Sequence, residues 1–119
     1  MKINPELLYN VLYSSGERKK TYTLSDNVSN YSYIEIVGKW YTGATFSVIV
    51  PSNVGEVCVS GTDFNGSANQ TSGNIYTHLA TLTLSGTTLT FKTNGWYRGT
   101  TYTVESGTPL YIYRVAGYK

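Results

Sequence analysis

Hydrophobic and polar residues alternate along most of this chain, and the alternation predicts β-strands. In residues 33–40, YIEIVGKW, the side chains of Ile34, Ile36 and Trp40 fall on one face of an extended backbone. The same period of two continues through the segments 21–24, 44–50, 56–60, 75–86, 88–93, 101–106 and 110–119. The pattern therefore predicts about eight or nine short strands.

Polar runs rich in Gly, Asn and Ser separate these strands and predict turns. Ser85-Gly86 and Asn94-Gly95 are the clearest, because Gly and Asn tolerate the positive φ angles of tight hairpins. No helical pattern lies between the strands to make the crossover that a parallel sheet needs. The sequence therefore predicts an all-β fold, an antiparallel β-sandwich or a jelly-roll-like barrel.

Two segments depart from the alternation. Residues 4–13, NPELLYNVLY, begin with Asn, Pro and Glu, which favours a short N-terminal helical turn, although a strand beginning near Leu8 also fits. Residues 61–74 show no periodicity and predict a long loop. With no internal repeat, we expect one β-sandwich domain over residues 11–119 and an N-terminal extension over residues 1–10.

Composition and charge exclude several classes of partner. Only 13% of the 119 residues are charged and the net charge is +2, which gives no basic stripe for nucleic acid or an anionic membrane. The N-terminus lacks the apolar run of a signal peptide, and no segment approaches the roughly 20 apolar residues of a membrane helix. We expect synthesis in a cytoplasm, with no signal peptide and no membrane insertion.

Residues able to perform catalysis are few and lie in no catalytic motif. His78, the only histidine, falls mid-strand on the face of Leu82 and Leu84, which predicts a structural role. Cys58, the only cysteine, can form no disulfide within the chain and is expected to be buried. Residues 63–67 begin like a calcium loop, but the later Gly and Glu positions do not match. We expect no enzymatic activity, metal or cofactor, although two of the seven carboxylates could still meet as glycoside hydrolysis requires.

Aromatic residues are the remaining chemical resource, with 12 Tyr, 3 Phe and 2 Trp. Tyrosine and tryptophan stack on the apolar faces of sugars and dominate protein interfaces. Neighbours on a strand point to opposite faces, so one ring of Trp40-Tyr41 and one of Trp96-Tyr97 can stay outside the core. Trp40 is expected to face inward, and Tyr33 and Tyr41 outward. The candidate ligand-binding residues are Tyr33, Trp40, Tyr41, Trp96 and Tyr97; equally, such rings could cover hydrophobic edges or a subunit interface.

Three stretches resemble a domain found at the C-termini of bacteriophage tail and minor structural proteins. Leu12, Tyr13, Ser14 and Gly16 match its opening, Leu-(Tyr/Trp)-Ser-Gly. Residues 23–36 match Thr-Leu-Ser-Asp-x-x-x-x-Tyr-x-x-Ile-x-Ile. Residues 112–118 match the close, Ile-x-(Arg/Lys)-(Ile/Val)-x-Gly-(Tyr/Ile). The resemblance spans residues 11–119 and rests on spaced hydrophobic residues and turns, not on a catalytic signature.

The resemblance implies a β-sandwich at the distal end of a tail fibre or tip protein, located in the virion. Such domains are often homotrimers that contact other virion subunits and a glycan or protein of the host cell surface. It therefore implies a non-enzymatic receptor-binding domain. Two alternatives remain: a purely structural virion module and a free carbohydrate-binding module. The chain lacks the fibre shaft of the family, which fits an excised tip or a small separate virion protein and leaves trimerisation open.

Overall fold

The structure, a computed structural model, describes residues 4–40, 43–65, 74–98, 100–104 and 110–119. Nine strands in these residues form two antiparallel sheets, which confirms the prediction of an all-β sandwich. The strands are β1 (Glu6–Asn10), β2 (Thr21–Thr23), β3 (Tyr33–Trp40), β4 (Thr45–Pro51), β5 (Glu56–Asn65), β6 (Asn74–Ser85), β7 (Thr88–Arg98), β8 (Thr101–Val104) and β9 (Leu110–Tyr118). Short 3₁₀ turns lie at Tyr13–Ser15 and Val28–Asn30.

The strand order places the two ends of the chain in one sheet. Sheet A has the order β1-β9-β3-β4, and sheet B has the order β2-β7-β6-β5. Strand β8 extends sheet B by pairing with the second half of β7, from Gly95 to Arg98. The consecutive strands β4 and β5 lie at the edges of different sheets, so the chain crosses between sheets at the turn that joins them.

The core lies between the sheets and is filled by the inward-facing positions of the strands. On β3, Ile34, Ile36 and Trp40 are fully buried, as the alternation in that segment predicts. The other strands add Val57, Val59, Ala80, Leu82, Leu84, Leu89, Phe91, Leu110, Ile112 and Val115. Burying each large apolar side chain contributes roughly 1.5–3 kcal/mol relative to leaving it in water. The core therefore explains how a chain with a single cysteine can fold without a disulfide.

The N-terminal segment is a strand where the sequence favoured a helical turn. Residues 6–10 form β1, which pairs with β9 so that Leu7 lies opposite Ala116. Leu8 is buried in the core, and the backbone of the segment pairs with β9. This burial outweighs the local capping signal, which is worth only about 1 kcal/mol. Residues 6–10 therefore belong to the sandwich and are not the extension that the sequence suggested.

The predicted turn at Asn94-Gly95 is wrong, because β7 continues through it. Asn94 lies opposite Ala80 and Gly95 opposite Leu79, so β6 pairs with both residues. A β-bulge at Lys92 precedes them, because Thr93 pairs with Thr81 while Phe91 pairs with Leu82. An extra residue in one strand reverses the facing of all that follow it.

The bulge decides which side chains of the second half of β7 enter the core. Before it, the odd-numbered residues Leu89 and Phe91 face inward. After it, Asn94 is buried, while Thr93, which the alternation aligned with Leu89 and Phe91, is exposed. The same shift turns Trp96 inward and Tyr97 outward.

The loop predicted over residues 61–74 is shorter than expected. Strand β5 continues to Asn65 and β6 begins at Asn74, with Gly61 opposite His78 and Thr62 opposite Thr77. The remainder of that loop, residues 66–73, lies outside the described residues. Cross-strand pairing with β6 extends β5 although residues 61–65 lack an alternating apolar pattern.

A hydrogen-bonded turn over residues 24–31 joins the two sheets. Its backbone contacts the β6–β7 hairpin through Leu24 N–H to Thr87 O at 2.7 Å. At its other end, the Tyr31 hydroxyl donates to Asp26 Oδ2 at 2.8 Å. This bond lowers the pKa of Asp26 and raises the pKa of Tyr31 to about 12. The Tyr31 ring covers Gly117 of β9, where a Cβ would lie 2.5 Å from Tyr31 Cδ1.

Candidate functional site

The five candidate ligand-binding residues of the sequence do not form one surface. Trp40 is fully buried, so it is a core residue and not the ligand contact that the sequence suggested. Its ring packs edge-on against Phe46 at 5.2 Å and lies close to Gly61, where a Cβ would be 2.8 Å from Trp40 Cζ3. Its neighbour Tyr41 lies outside the described residues.

Trp96 and Tyr97 point to opposite faces of sheet B, as the strand geometry predicts. Trp96 pairs with His78, faces inward and is only partly exposed, and its ring meets Tyr76 edge-on at 5.2 Å. Tyr97 pairs with Thr77 on the outer face and is exposed. Of this pair, only Tyr97 presents its ring to solvent on the outer face of the sandwich.

Tyr33 is exposed but lies on the other sheet. It occupies the outer face of sheet A between Pro51 of β4 and Tyr118 of β9, with 52% of its surface accessible. Since the outer faces of the two sheets point away from the core in opposite directions, Tyr33 cannot share a ligand site with Tyr97.

The structure brings a residue that the sequence analysis missed, Tyr102, next to Tyr97. The two residues lie directly opposite each other in the β7–β8 pair, on the outer face of sheet B. Their ring centroids are 4.7 Å apart with an interplanar angle of 39°, and they are 40% and 44% exposed. We call these two adjacent rings the tyrosine platform.

Gly95 explains why the platform lies close to the sheet. A Cβ at this position would lie 2.5 Å from Tyr102 Cζ and 2.6 Å from the carbonyl oxygen of Thr103. The ring of Tyr102 therefore occupies the space that a side chain would fill on β7. A glycine beneath an aromatic ring of the neighbouring strand fixes that ring against the sheet.

The surroundings of the platform are apolar or carry hydroxyl groups. Val104 lies beyond Tyr102 on the same strand face, and Leu79 lies opposite Gly95. Thr77 pairs with Tyr97, and Ile75 follows on the same face of β6. Val104 and Ile75 are both exposed. Flat rings with apolar and hydroxyl-bearing neighbours suit the C–H faces and hydroxyls of a neutral sugar.

Of the residues with possible catalytic chemistry, His78 and Glu35 make contacts within the fold. His78 is buried on the inner face, with its ring 5.7 Å from Trp40 and 6.5 Å from Tyr76. Glu35 accepts a hydrogen bond from Arg114 Nε at 2.8 Å. Cys58, expected to be buried, is exposed because the alternation that turns Val57 and Val59 inward turns Cys58 outward.

The described part of the chain contains neither a cluster of metal-ligating residues nor a membrane-spanning helix. Within it, no group of three or more His, Cys, Asp or Glu residues is arranged to hold a metal ion. Among the same residues, no helix is long and apolar enough to cross a membrane.

Tyr102 could have been suspected from its own strand but not assigned to the platform. The alternation in TYTV places Tyr102 and Val104 on one face. Which ring of β7 lies beside Tyr102 depends on the bulge at Lys92 and on the β7–β8 register. Neither can be read from the pattern of a single strand.

The fold defines the chain as an all-β sandwich protein with exposed aromatic residues on its outer faces. Comparison of the sequence with protein-family models and with curated protein sequences finds no match. Function is therefore inferred from the chemistry of the surface.

Proposed function

We propose that this protein is a non-enzymatic binding domain that contacts a cell-surface glycan through the tyrosine platform. The observation that carries the proposal is the pair of exposed, adjacent rings of Tyr97 and Tyr102. The Tyr102 ring packs against Gly95. Tyrosine supplies a large contact area at a low cost in conformational entropy. Because Tyr102 already packs against the sheet, little ordering remains to oppose ligand binding.

The proposed biological setting is the tip of a bacteriophage tail, where the domain contacts the host cell as a homotrimer. Its support is the resemblance of residues 11–119 to tail and minor structural proteins. In the structure the spaced residues of that resemblance have structural roles: Ile34 and Ile36 are buried, and Tyr31 covers Gly117. The similarity therefore concerns residues that determine the fold, while the platform supplies the contact surface.

The decisive experiment is a saccharide titration of the wild type and of Tyr97→Ala and Tyr102→Ala, followed by NMR. Ligands are first selected on a glycan array, and Tyr33→Ala is the matched control because it removes an exposed tyrosine from the opposite face. Aromatic contacts of this kind are worth about 0.5–1.5 kcal/mol, so each platform variant should weaken binding about two- to tenfold. Tyr33→Ala should bind like the wild type.

Two results would reject the proposal. One is a wild-type protein that binds no glycan on the array and does not adsorb to host cells. The other is equal affinity in Tyr97→Ala, Tyr102→Ala and the wild type, which would show that the rings make no contact with the ligand. Light scattering on the same samples tests the proposed trimer, because a trimer has three times the mass of the 13.1 kDa chain.

A second candidate, a structural module that packs against neighbouring subunits, is favoured by the open edge of the sandwich. Strand β4 has a single neighbour, β3, among the described strands, and its sequence TFSVIVP contains no charge. A groove of about 190 Å³ lies between this edge and β5, lined by Phe46, Ser47, Val48, Cys58, Val59 and Ser60. Exposed strand edges without charged residues pair readily with other strands.

The variant Ile49→Lys distinguishes this candidate from glycan binding. Ile49 lies on the outer face of β4, is well exposed and pairs with Glu35 of β3 only. If β4 pairs with a neighbouring subunit, a lysine there should lower the mass measured by light scattering without changing the glycan titration. An unchanged mass would argue against assembly through this edge.

A further inference from the structure

Two threonines continue the tyrosine platform across the outer face of sheet B. Tyr97 pairs with Tyr102 of β8 on one side and with Thr77 of β6 on the other, and Thr77 pairs in turn with Thr62 of β5. Tyr97, Tyr102 and Thr62 are exposed, and Thr77 is partly exposed. These four residues form one line across four neighbouring strands, which we call the cross-strand row. Two rings and two hydroxyl-bearing side chains therefore lie side by side on one surface.

The length of the cross-strand row sets the length of ligand that it can hold. Adjacent strands of a sheet lie about 4.8 Å apart, so the row runs for roughly 14 Å from Thr62 to Tyr102. A sugar unit in an extended, unbranched chain advances by about the spacing of two neighbouring strands. The row therefore accommodates roughly three or four consecutive units, and the platform alone roughly two.

The side chains around the row fix the direction in which such a chain lies. The Tyr102 ring reaches over β7, because a Cβ at Gly95 would lie 2.5 Å from Tyr102 Cζ. The other face of this ring points to solvent, since 44% of the residue is accessible. Along β6, the apolar side chains of Ile75 and Leu79 lie on either side of Thr77. At the centre of the sheet, rings and hydroxyls therefore follow one another across the strands, and apolar side chains flank them.

The chemistry of the row matches a neutral saccharide. A threonine hydroxyl both donates and accepts hydrogen bonds, as the hydroxyls of a sugar do. The threonine methyl groups and the tyrosine ring faces suit the apolar C–H groups of the same sugar. Because the β-branched side chains of Thr62 and Thr77 are already restricted in χ1, little conformational entropy is lost when a ligand orders them. None of the four side chains of the row is charged, so the row recognises shape and hydroxyls rather than charge.

We propose that the cross-strand row binds a neutral, unbranched, β-1,4-linked saccharide chain that lies across the strands of sheet B. Two sugar units stack on Tyr97 and Tyr102, and the units that follow form hydrogen bonds with the hydroxyls of Thr77 and Thr62. A β-1,4-linked chain is flat and extended, which fits the surface of a sheet, whereas an α-1,4-linked chain coils away from it. This inference rests on the glycan contact proposed above and names the class of the glycan and its orientation.

The test compares cellobiose, cellotetraose and maltotetraose in NMR titrations of the wild type, Thr62→Val, Thr77→Val and Thr77→Ser. Cellotetraose matches the length of the row, cellobiose covers only the platform, and maltotetraose presents the same sugar in a coiled chain. Thr81→Val is the matched control, because Thr81 lies on the same face of β6 but pairs with Cys58 and Thr93, outside the row. Valine keeps the branched shape of threonine and removes only the hydroxyl.

The expected pattern depends on both chain length and position. The wild type should bind cellotetraose more tightly than cellobiose or maltotetraose. One hydrogen bond of ordinary strength corresponds to about a two- to tenfold change in affinity, so Thr62→Val and Thr77→Val should each weaken cellotetraose binding by that factor. Thr62→Val should leave cellobiose binding unchanged, because Thr62 lies at the far end of the row from the platform. Thr77→Ser, which retains a hydroxyl, and Thr81→Val should bind cellotetraose like the wild type.

Three results would overturn the inference. They are a wild type that binds no cellotetraose, equal binding of cellotetraose and maltotetraose, and an unchanged affinity for cellotetraose in both threonine-to-valine variants. If Tyr97→Ala then still weakens a different glycan chosen from the array, the platform is a binding site and only the extended chain is wrong. If the wild type binds no glycan at all, the proposed function fails as well.

Discussion

On the outer face of sheet A, Tyr113 lies enclosed beside Tyr13 and Tyr111, whereas on the outer face of sheet B, Tyr97 and Tyr102 remain half exposed. Both faces use pairs of neighbouring tyrosines. In sheet A, the stacked rings shield one another and pack the segment after β1 against β9. In sheet B, a glycine supports one ring and nothing among the described residues covers the pair. The same residue type is therefore structural on one face and available for contact on the other.

The ion pairs of the two faces also differ in how far their side chains are exposed to solvent. Arg114 Nε and Glu35 Oε1 of sheet A lie 2.8 Å apart, and their side chains are 35% and 18% exposed. Lys92 and Glu56 of sheet B also pair, but their side chains are 57% and 52% exposed. Solvent screening removes most of the value of an exposed pair. Burial, more than residue identity, determines what each pair contributes to stability.

The largest expected difference between the faces comes from their tyrosines. Tyr113→Ala should lower the free energy of unfolding by about 3 kcal/mol, because it removes a buried, stacked ring and leaves a cavity. Tyr102→Ala should lower it by no more than about 1 kcal/mol, because that ring is already half exposed. Urea unfolding curves of both variants give the comparison. Equal losses would show that the tyrosine platform is as much a part of the packed structure as the stacked rings of Tyr13 and Tyr113.

The two ion pairs provide a smaller test of the same contrast. Glu35→Gln should lower the free energy of unfolding by about 1 kcal/mol, since it weakens a charged hydrogen bond that is partly shielded from solvent. Lys92→Gln should change it by no more than about 0.5 kcal/mol. Thermal unfolding of both variants at low and at high salt measures the two changes in stability. If the Lys92 variant proved the less stable of the two, burial would not determine what these ion pairs contribute to stability.

The hydrogen bond between Tyr31 and Asp26 should make the free energy of unfolding depend on pH. The folded pKa of Asp26 lies below its ordinary value of 3.8, because Tyr31 donates a hydrogen bond to the carboxylate. The resulting stabilisation is therefore present above about pH 3.8 and is lost as pH falls through the lowered folded pKa. Wild type and Asp26→Asn should differ in unfolding midpoint at pH 6 and converge in acid. A gap that stays constant with pH would exclude this carboxylate as the source.

The smallest effect is expected at Cys58, on the outer face of sheet B. Cys58→Ser should change the free energy of unfolding by less than about 0.5 kcal/mol, because the side chain is exposed and leaves no cavity. The thiol of the folded wild type should react with a soluble thiol reagent at a rate near that of a free peptide. Strong protection of the thiol would place Cys58 in an interface along the β4–β5 edge.

The sequence by itself determined the fold class and most of the inward-facing residues. Alternation along β3 predicts the burial of Ile34, Ile36 and Trp40, because successive side chains of any strand point to opposite faces. The same rule places Val57 and Val59 inward and, correctly applied, Cys58 outward. It also predicts that Trp96 and Tyr97 separate to the two faces of one strand. All of these features are local, so the pattern of one segment contains them.

Tertiary structure alone decided features that depend on two strands at once. The pairing of β1 with β9 made a strand of a segment whose capping residues favoured a helical turn. The bulge at Lys92 and the β7–β8 register placed Tyr97 beside Tyr102. The absence of a side chain at Gly95 lets the Tyr102 ring pack against β7. The convergence of Arg18 and Lys39 on Tyr111 likewise joins three distant parts of the chain. The physical reason is common to all three: partners, registers and ring contacts form between segments, while alternation reports only on each segment alone.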